Sequence, residues 1–141
     1  MKSLCLALAA AVLLTTWAPA ARAADADLAG ALEKVSKDQI AAFNRGDAAA
    51  TLAFAHTKSP SYDEAKAELP ANFDAKAEQV SFQYIGHDDE FALARVKVKV
   101  TAAPDVQGFY ANVVDTITIF HQENGQWKVW DAYLVGASLA K

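Results

Sequence analysis

Two carboxylates, two tyrosines and one histidine are the residues whose type and setting suit them to chemistry. Asp115 stands in the run Val113-Val114-Asp115-Thr116-Ile117, an acid among β-branched apolar neighbours. A carboxylate buried there is costly unless a partner or ligand satisfies it. Burial also raises its pKa and favours the neutral form. Asp131 and Tyr133 alternate with Trp127 and Val129, which places all four on one face of a regular strand. On a concave face they would approach the mouth of a pocket, and Asp115 with Asp131 would supply an acid and a base. Otherwise Asp131 lies at a solvated strand end and Tyr133 is a core residue with a wet hydroxyl. His56 follows a short helix and can reach the pocket rim, with Tyr62 nearby.

The three histidines, His56, His87 and His121, show no metal-ligand spacing, and no metal site is expected. Nucleophile motifs, glycine-rich phosphate loops and cofactor fingerprints are absent from the sequence, so no cofactor is expected either.

The elements that must position these residues lie in one domain. Residues 1–23 read as a secretory signal. Lys2 supplies the basic start, residues 4–14 the apolar core, and Ala21-Arg22-Ala23 a small-x-small cleavage site. The apolar run falls short of the roughly 20 residues that span a bilayer. Cleavage leaves 118 of the 141 residues as one domain, residues 24–141, destined for the periplasm or the exterior. That domain has no cysteine, and its 11 basic and 17 acidic residues give a net charge of −6. Such a balance disfavours nucleic acid and anionic membrane surfaces as partners.

Apolar residues at 28, 32, 35, 40 and 43 form one helical stripe. Gly46 suits the left-handed position that ends this helix, and Asp47 caps a short second one. Ser59-Pro60 opens a third helix over residues 61–69, which Pro70 interrupts. Three further turns divide the remainder into strands at 80–85, 91–101, and a hairpin over 109–134 closed by Asn124-Gly125. Arg95, Lys97 and Lys99 would form the solvated face of the second strand, opposite Ala92, Ala94, Val96 and Val98. The fold class is α+β, with N-terminal helices packed on an antiparallel sheet. By parity with Val113, Ile117 and Ile119, Asp115 points toward the helices. Tyr110, Val114, Phe120 and Trp130 then fall on the outer face, an aromatic patch that suggests a homodimer.

Three stretches carry a family resemblance, in order: Ala42-Phe43-Asn44-Arg45-Gly46-Asp47, Val113-Val114-Asp115-Thr116-Ile117 and Asn124-Gly125-Gln126-Trp127-Lys128-Val129. With them the chain resembles the nuclear-transport-factor-2-like (NTF2-like) domains, which include ketosteroid isomerases and SnoaL-like cyclases. The resemblance implies a cone formed by a strongly curved sheet and its helices, with Asp115 at the position of an acid that some family enzymes keep protonated. It also marks departures. Gln39 stands where the isomerases place an oxyanion-binding tyrosine, and Asp63, near the general-base position, lies in an unrelated local sequence. The reading that follows is an exported small-molecule-binding domain with Asp115, Asp131, Tyr133, Tyr62 and His56 around an apolar cone. Its alternatives are an isomerase, cyclase or dehydratase using the pocket carboxylates, and an interaction module whose cone is filled.

Overall fold

A computed structural model describes residues 18–102 and 110–140. The apolar core of the signal segment, the turn expected at 104–108, and Phe109 at the start of the hairpin lie outside them. Three helices come first: α1 (Ala18–Asn44), α2 (Ala48–Leu52) and α3 (Tyr62–Glu68), the last continued by a 3₁₀ turn at Leu69–Asn72. Four strands follow as an antiparallel meander in the order β1 (Ala75–His87), β2 (Phe91–Ala102), β3 (Asn112–Glu123) and β4 (Gln126–Leu139). This is the α+β arrangement read from the sequence, with β1 beginning five residues earlier and β4 ending five residues later than expected.

The junction after α1 depends on four consecutive residues. Gly46 adopts φ +70°, which lets the chain leave the helix in the left-handed conformation. Asp47 then caps α2 by accepting from the Ala50 N–H at 2.9 Å. Asn44 turns its amide to β1, donating to the Ala77 carbonyl at 2.7 Å and accepting from the Ala77 N–H at 2.8 Å. One side chain thus satisfies both backbone groups of a strand residue and ties the end of the helix to the start of the sheet. At the other end of the chain, Asn124 and Gly125 both have positive φ (53° and 77°), the requirement of a tight I′ hairpin.

The cross-strand register decides which side chains meet the helices. Ala92 pairs with Phe120, Ala94 with Thr118 and Val96 with Thr116, so these share a face. Leu32 of α1 packs there with Ala92, Ala94, Val96 and Phe120, and Leu28, Val35, Phe82, Tyr84, Trp127 and Val129 surround them. The alanines remove bulk where the helix lies closest, and Phe120 fills the space they leave.

This register overturns the orientation expected for β3. Lys97 lies opposite Asp115 and Arg95 opposite Ile117, so Asp115 projects from the helix-free face with the basic row of β2. Phe120 is fully buried beneath α1 and Val114 is half-buried opposite Val98 on the helix side, so neither belongs to an outer patch. Tyr110 is exposed just before β3, and Trp130 alone of that set lies on the outer face within β4.

Two irregularities in β4 explain the second misplacement. Phe120 pairs with Val129 but Ile119 pairs with Asp131, leaving Trp130 as an extra residue. A bulge of one residue inverts the parity beyond it. Asp131 and Tyr133 therefore face away from the side that carries Trp127 and Val129. A second bulge at Val135, between the pairs Thr116–Leu134 and Asp115–Gly136, restores the original parity.

Truncating the core residue that the sequence had placed outside provides a test. Phe120→Ala should lower unfolding free energy by about 3–5 kcal/mol, measured by urea denaturation. A change near zero would return Phe120 to the surface.

Candidate functional site

Asp115 sits in a charge cluster on the outer face. Arg95 grips it with two parallel hydrogen bonds, Nε to Oδ1 at 2.9 Å and Nη2 to Oδ2 at 2.7 Å. Lys97 Nζ stands 3.8 Å from Oδ2. The guanidinium, with a smaller contribution from Lys97, holds the carboxyl below its usual range despite partial desolvation. Asp115 is thus an ionised acceptor with its partners supplied by the neighbouring strand. It has no proton to donate, and the neutral role implied by the resemblance does not apply to it. The hollow beside it, about 230 Å³ and lined by Lys97, Val113, Gly136, Ala137 and Ser138, is shallow and polar.

Two open hollows border α1. One, about 450 Å³, lies against the start of β4 and is lined by Lys34, Val35, Asp38, Phe54, Trp127 and Lys128. The other, about 280 Å³, is walled by Gln39, Ile40 and Phe43 of α1 with Thr51, Leu69, Ala77 and Val100. No ionisable side chain lines the second, and neither holds Asp115 or Asp131, the carboxylate anchors expected from the sequence.

A larger concavity lies on the helix-free face, at the end of the sheet nearest the β1–β2 and β3–β4 turns. This groove, about 530 Å³, is walled by Phe91, Leu93, Ile119 and Trp130, with Gly86, His87 and Asp88 at the rim. Phe91 and Leu93 continue the row that carries Arg95 and Lys97, so the outer face of β2 changes from apolar to basic along its length. The Trp130 bulge turns the indole onto this face, where it meets Phe91 edge to face at 5.9 Å between ring centres. Asp88 shapes the rim turn by accepting from the N–H groups of Glu90 (2.8 Å) and Phe91 (2.7 Å), and these bonds lower its pKa.

Behind the tryptophan lies a histidine pair. The segment after α2 runs alongside the start of β4, with His56 N donating to the Val129 carbonyl and Val129 N to the Phe54 carbonyl, each at 2.8 Å. That brings His56, only 4% exposed, under Trp130 and against His121, with ring centres 4.8 Å apart in each case. Its Nε2 lies 3.0 Å from Nδ1 of His121. Because His56 Nδ1 accepts from the Lys58 N–H at 3.1 Å, neutral His56 carries its proton on Nε2 and donates to His121. The two histidines lie 65 positions apart in sequence, a pairing that local spacing does not reveal.

Glu123 fastens the same segment. Its Oε1 accepts from the Thr57 N–H at 3.1 Å and from the Thr57 hydroxyl, while Oε2 pairs with Lys128 Nζ at 2.7 Å. Lys128 first, then Thr57, lower its pKa from 4.5 to about 2.

The expected site residues are therefore dispersed. Asp115 is held by Arg95, and Tyr133 is exposed opposite Ile117. Asp131 accepts from Ala132 N–H at 2.8 Å and from the Ser61 hydroxyl at 3.4 Å. Tyr62 is half-buried at the first residue of α3, and His56 is packed under Trp130 rather than at a rim. Among the described residues, no group of three or more His, Cys, Asp or Glu could hold a metal ion.

Known proteins place this geometry in context. A family model described as "Anti-sigma-I factor RsgI9, C-terminal domain" matches residues 34–135. No curated protein matches the sequence. Several solved structures share the fold at low identity. One, from Caulobacter vibrioides, is an uncharacterised protein with a cystatin-like fold, 16% identical over 76% of this chain and 89% of that one, with a TM-score of 0.63. A provisionally assigned scytalone dehydratase from Novosphingobium aromaticivorans is 11% identical over 79% and 87% of the two chains, with a TM-score of 0.62. An NTF2-like protein of unknown function from Shewanella oneidensis is 13% identical over 74% and 96%, with a TM-score of 0.58. The fold is NTF2-like, as the sequence motifs implied.

Two titrations follow from the charge clusters. In an NMR titration, Asp115 should ionise below the usual carboxylate range, and Arg95→Ala should move it upward; an Asp115 unaffected by the loss of Arg95 would break the pairing. Glu123 has a folded pKa below its unfolded one, so its stabilisation is present above pH 4.5 and disappears as pH falls toward 2. Glu123→Gln should lower stability at neutral pH and flatten that acid limb, measured by urea unfolding at each pH.

Proposed function

The chain belongs to the family of the anti-sigma-I factor RsgI9 C-terminal domain, and on that footing we propose that it is an exported small-molecule-binding domain. Its site in this reading is the groove walled by Phe91, Leu93, Ile119 and Trp130, and its export begins with cleavage after Ala23. The observation that carries the proposal is the groove itself: about 530 Å³ of aromatic and aliphatic wall with polar groups confined to the rim. A concave apolar surface with a few placed polar groups is the usual form of a small-ligand site. The hollow beside Gln39 and Ile40 has about half that volume, and the one of about 450 Å³ beside Trp127 is lined by Lys34, Asp38 and Lys128, a more polar wall. A ligand matched to the groove has a flat apolar body that stacks on Trp130 and Phe91, with a polar group directed to His87 or Asp88.

Binding fits the arrangement better than catalysis. An enzyme needs titratable groups converging on one open cavity. Here His56 is packed behind Trp130, Asp115 is tied to Arg95, and Asp88 is committed to its own turn. The family's named member is an anti-sigma factor, a regulator, and a domain that binds a small molecule outside the cytoplasm suits the input side of regulation.

The apolar dye 8-anilinonaphthalene-1-sulfonate provides a direct probe. The processed chain should bind it saturably, with quenching of tryptophan fluorescence. Trp130→Ala should weaken binding by about tenfold, or 1.4 kcal/mol, while Ile40→Ala in the hollow beside α1 should leave it unchanged. The opposite pattern would move the site into the cone. N-terminal sequencing of protein from the periplasmic or secreted fraction should begin at Ala24; an intact Met1 there would remove the export step.

A further inference from the structure

The sheet has two outer edges, and they differ in chemistry. The β1 edge carries Lys76 and Glu78, and it is broken by irregularities at Val80 and Ile85, where the register with β2 shifts. Charges keep an edge from pairing with another strand; bulges do not separate the two edges, since β4 carries one as well, at Val135. The β4 edge begins differently. At Val129 it is covered by the Phe54–His56 segment through two backbone hydrogen bonds. Beyond that point, no described residue pairs with it on the outer side.

That open stretch, residues 132–139, reads Ala-Tyr-Leu-Val-Gly-Ala-Ser-Leu and contains no charge and no proline. Tyr133 is 58% exposed, Leu134 68%, Val135 52% and Leu139 71%. It offers about 25 Å of edge at roughly 3.3 Å per residue, with alternate residues turning N–H and C=O groups outward. Ala132, Leu134, Ala137 and Leu139 lie on the helix side of the strand, and Tyr133 and Ser138 on the other. Both sides of the edge are therefore lined by apolar groups that a neighbouring strand would cover.

We infer that a second copy of this chain occupies this edge, with the two β4 strands pairing antiparallel across a twofold axis near Val135 and Gly136. Three observations favour a second copy over a different partner. The stretch is self-complementary: turned through the twofold axis, its uncharged apolar run meets itself and brings no like charges together. The Phe54–His56 segment blocks the strand before residue 130, so only pairing centred on 132–139 is open. A twofold pairing uses the β4 edge of both copies, so it closes after two instead of growing into a filament. A twofold axis perpendicular to the sheet keeps the helices of both copies on one side. Leu134 of one copy then lies opposite Ala137 of the other, and the two Leu134 side chains are diagonal neighbours across the axis. This proposal rests on the edge alone and is independent of the ligand groove.

Sedimentation velocity across micromolar concentrations, combined with amide hydrogen exchange, tests it. The expected result is a dimer that dissociates on dilution, with protection of amides 132–139 rising as protein concentration rises. Leu134→Lys places two ammonium groups across the axis and should weaken dimerisation by about tenfold or more, with the circular dichroism spectrum unchanged. Leu139→Glu should act likewise if the lysine variant folds poorly, and Ile85→Lys on the β1 edge should leave the dimer intact. A monomer at all concentrations with freely exchanging 132–139 amides would overturn the proposal. So would a dimer that both β4 variants leave intact.

Discussion

The packing of Leu32 over Ala92, Ala94 and Phe120 governs the rest of this molecule. A helix can lie close to a sheet only where the facing side chains are small, and β2 supplies two fully buried alanines there. Their register with β3 commits Phe120, Thr118 and Thr116 to the same side. Once that is set, Asp115, Ile117 and Ile119 have one remaining direction, outward. The acid among apolar neighbours is then explained by Arg95 and Lys97 across the strand, without any need for a ligand.

What could be read in the sequence was local. Asn44-Arg45-Gly46-Asp47 gives the end of one helix and the start of the next because each residue acts within a few positions of itself. Asn124-Gly125 sets a hairpin for the same reason. The orientation of β3 was not legible, because both of its parities are apolar: Val113, Ile117 and Ile119 on one side, Val114 and Phe120 on the other. Alternation cannot choose between two such faces. Reading β3 against β2 would have decided it, since Lys97 opposite Asp115 forms a charge pair and Ala92 opposite Phe120 balances volume. The side of Asp131 and Tyr133 was beyond any such comparison, because the extra residue at Trp130 leaves no mark in composition.

The groove was missed for a related reason. Its walls come from β2, β3 and the bulge of β4, and no two of its main residues form a motif. Phe91 and Leu93 extend the parity of Arg95, Lys97 and Lys99, so the outer row of β2 was read as uniformly solvated when its first two members are apolar. The histidine pair depends on the Phe54–His56 segment joining the sheet beside β4, a contact between elements that sequence spacing leaves undetermined. Both features lie on the side of the sheet away from the helices, which moves attention from the cone to its back.

The two bulges of β4 have a consequence for how such a chain can change over generations. Each inserts one residue, and together they confine the inverted parity to a short window around Asp131–Leu134. Deleting the extra residue itself, Trp130 or Val135, would close the bulge and leave every paired residue facing as it does, because the pairs on either side become consecutive. A deletion at a paired position moves the residues between it and the next bulge by one place and turns them to the other face. The two bulges are therefore the places where β4 can lose a residue with the core under α1 undisturbed. Change of length in this strand would be tolerated there and penalised elsewhere.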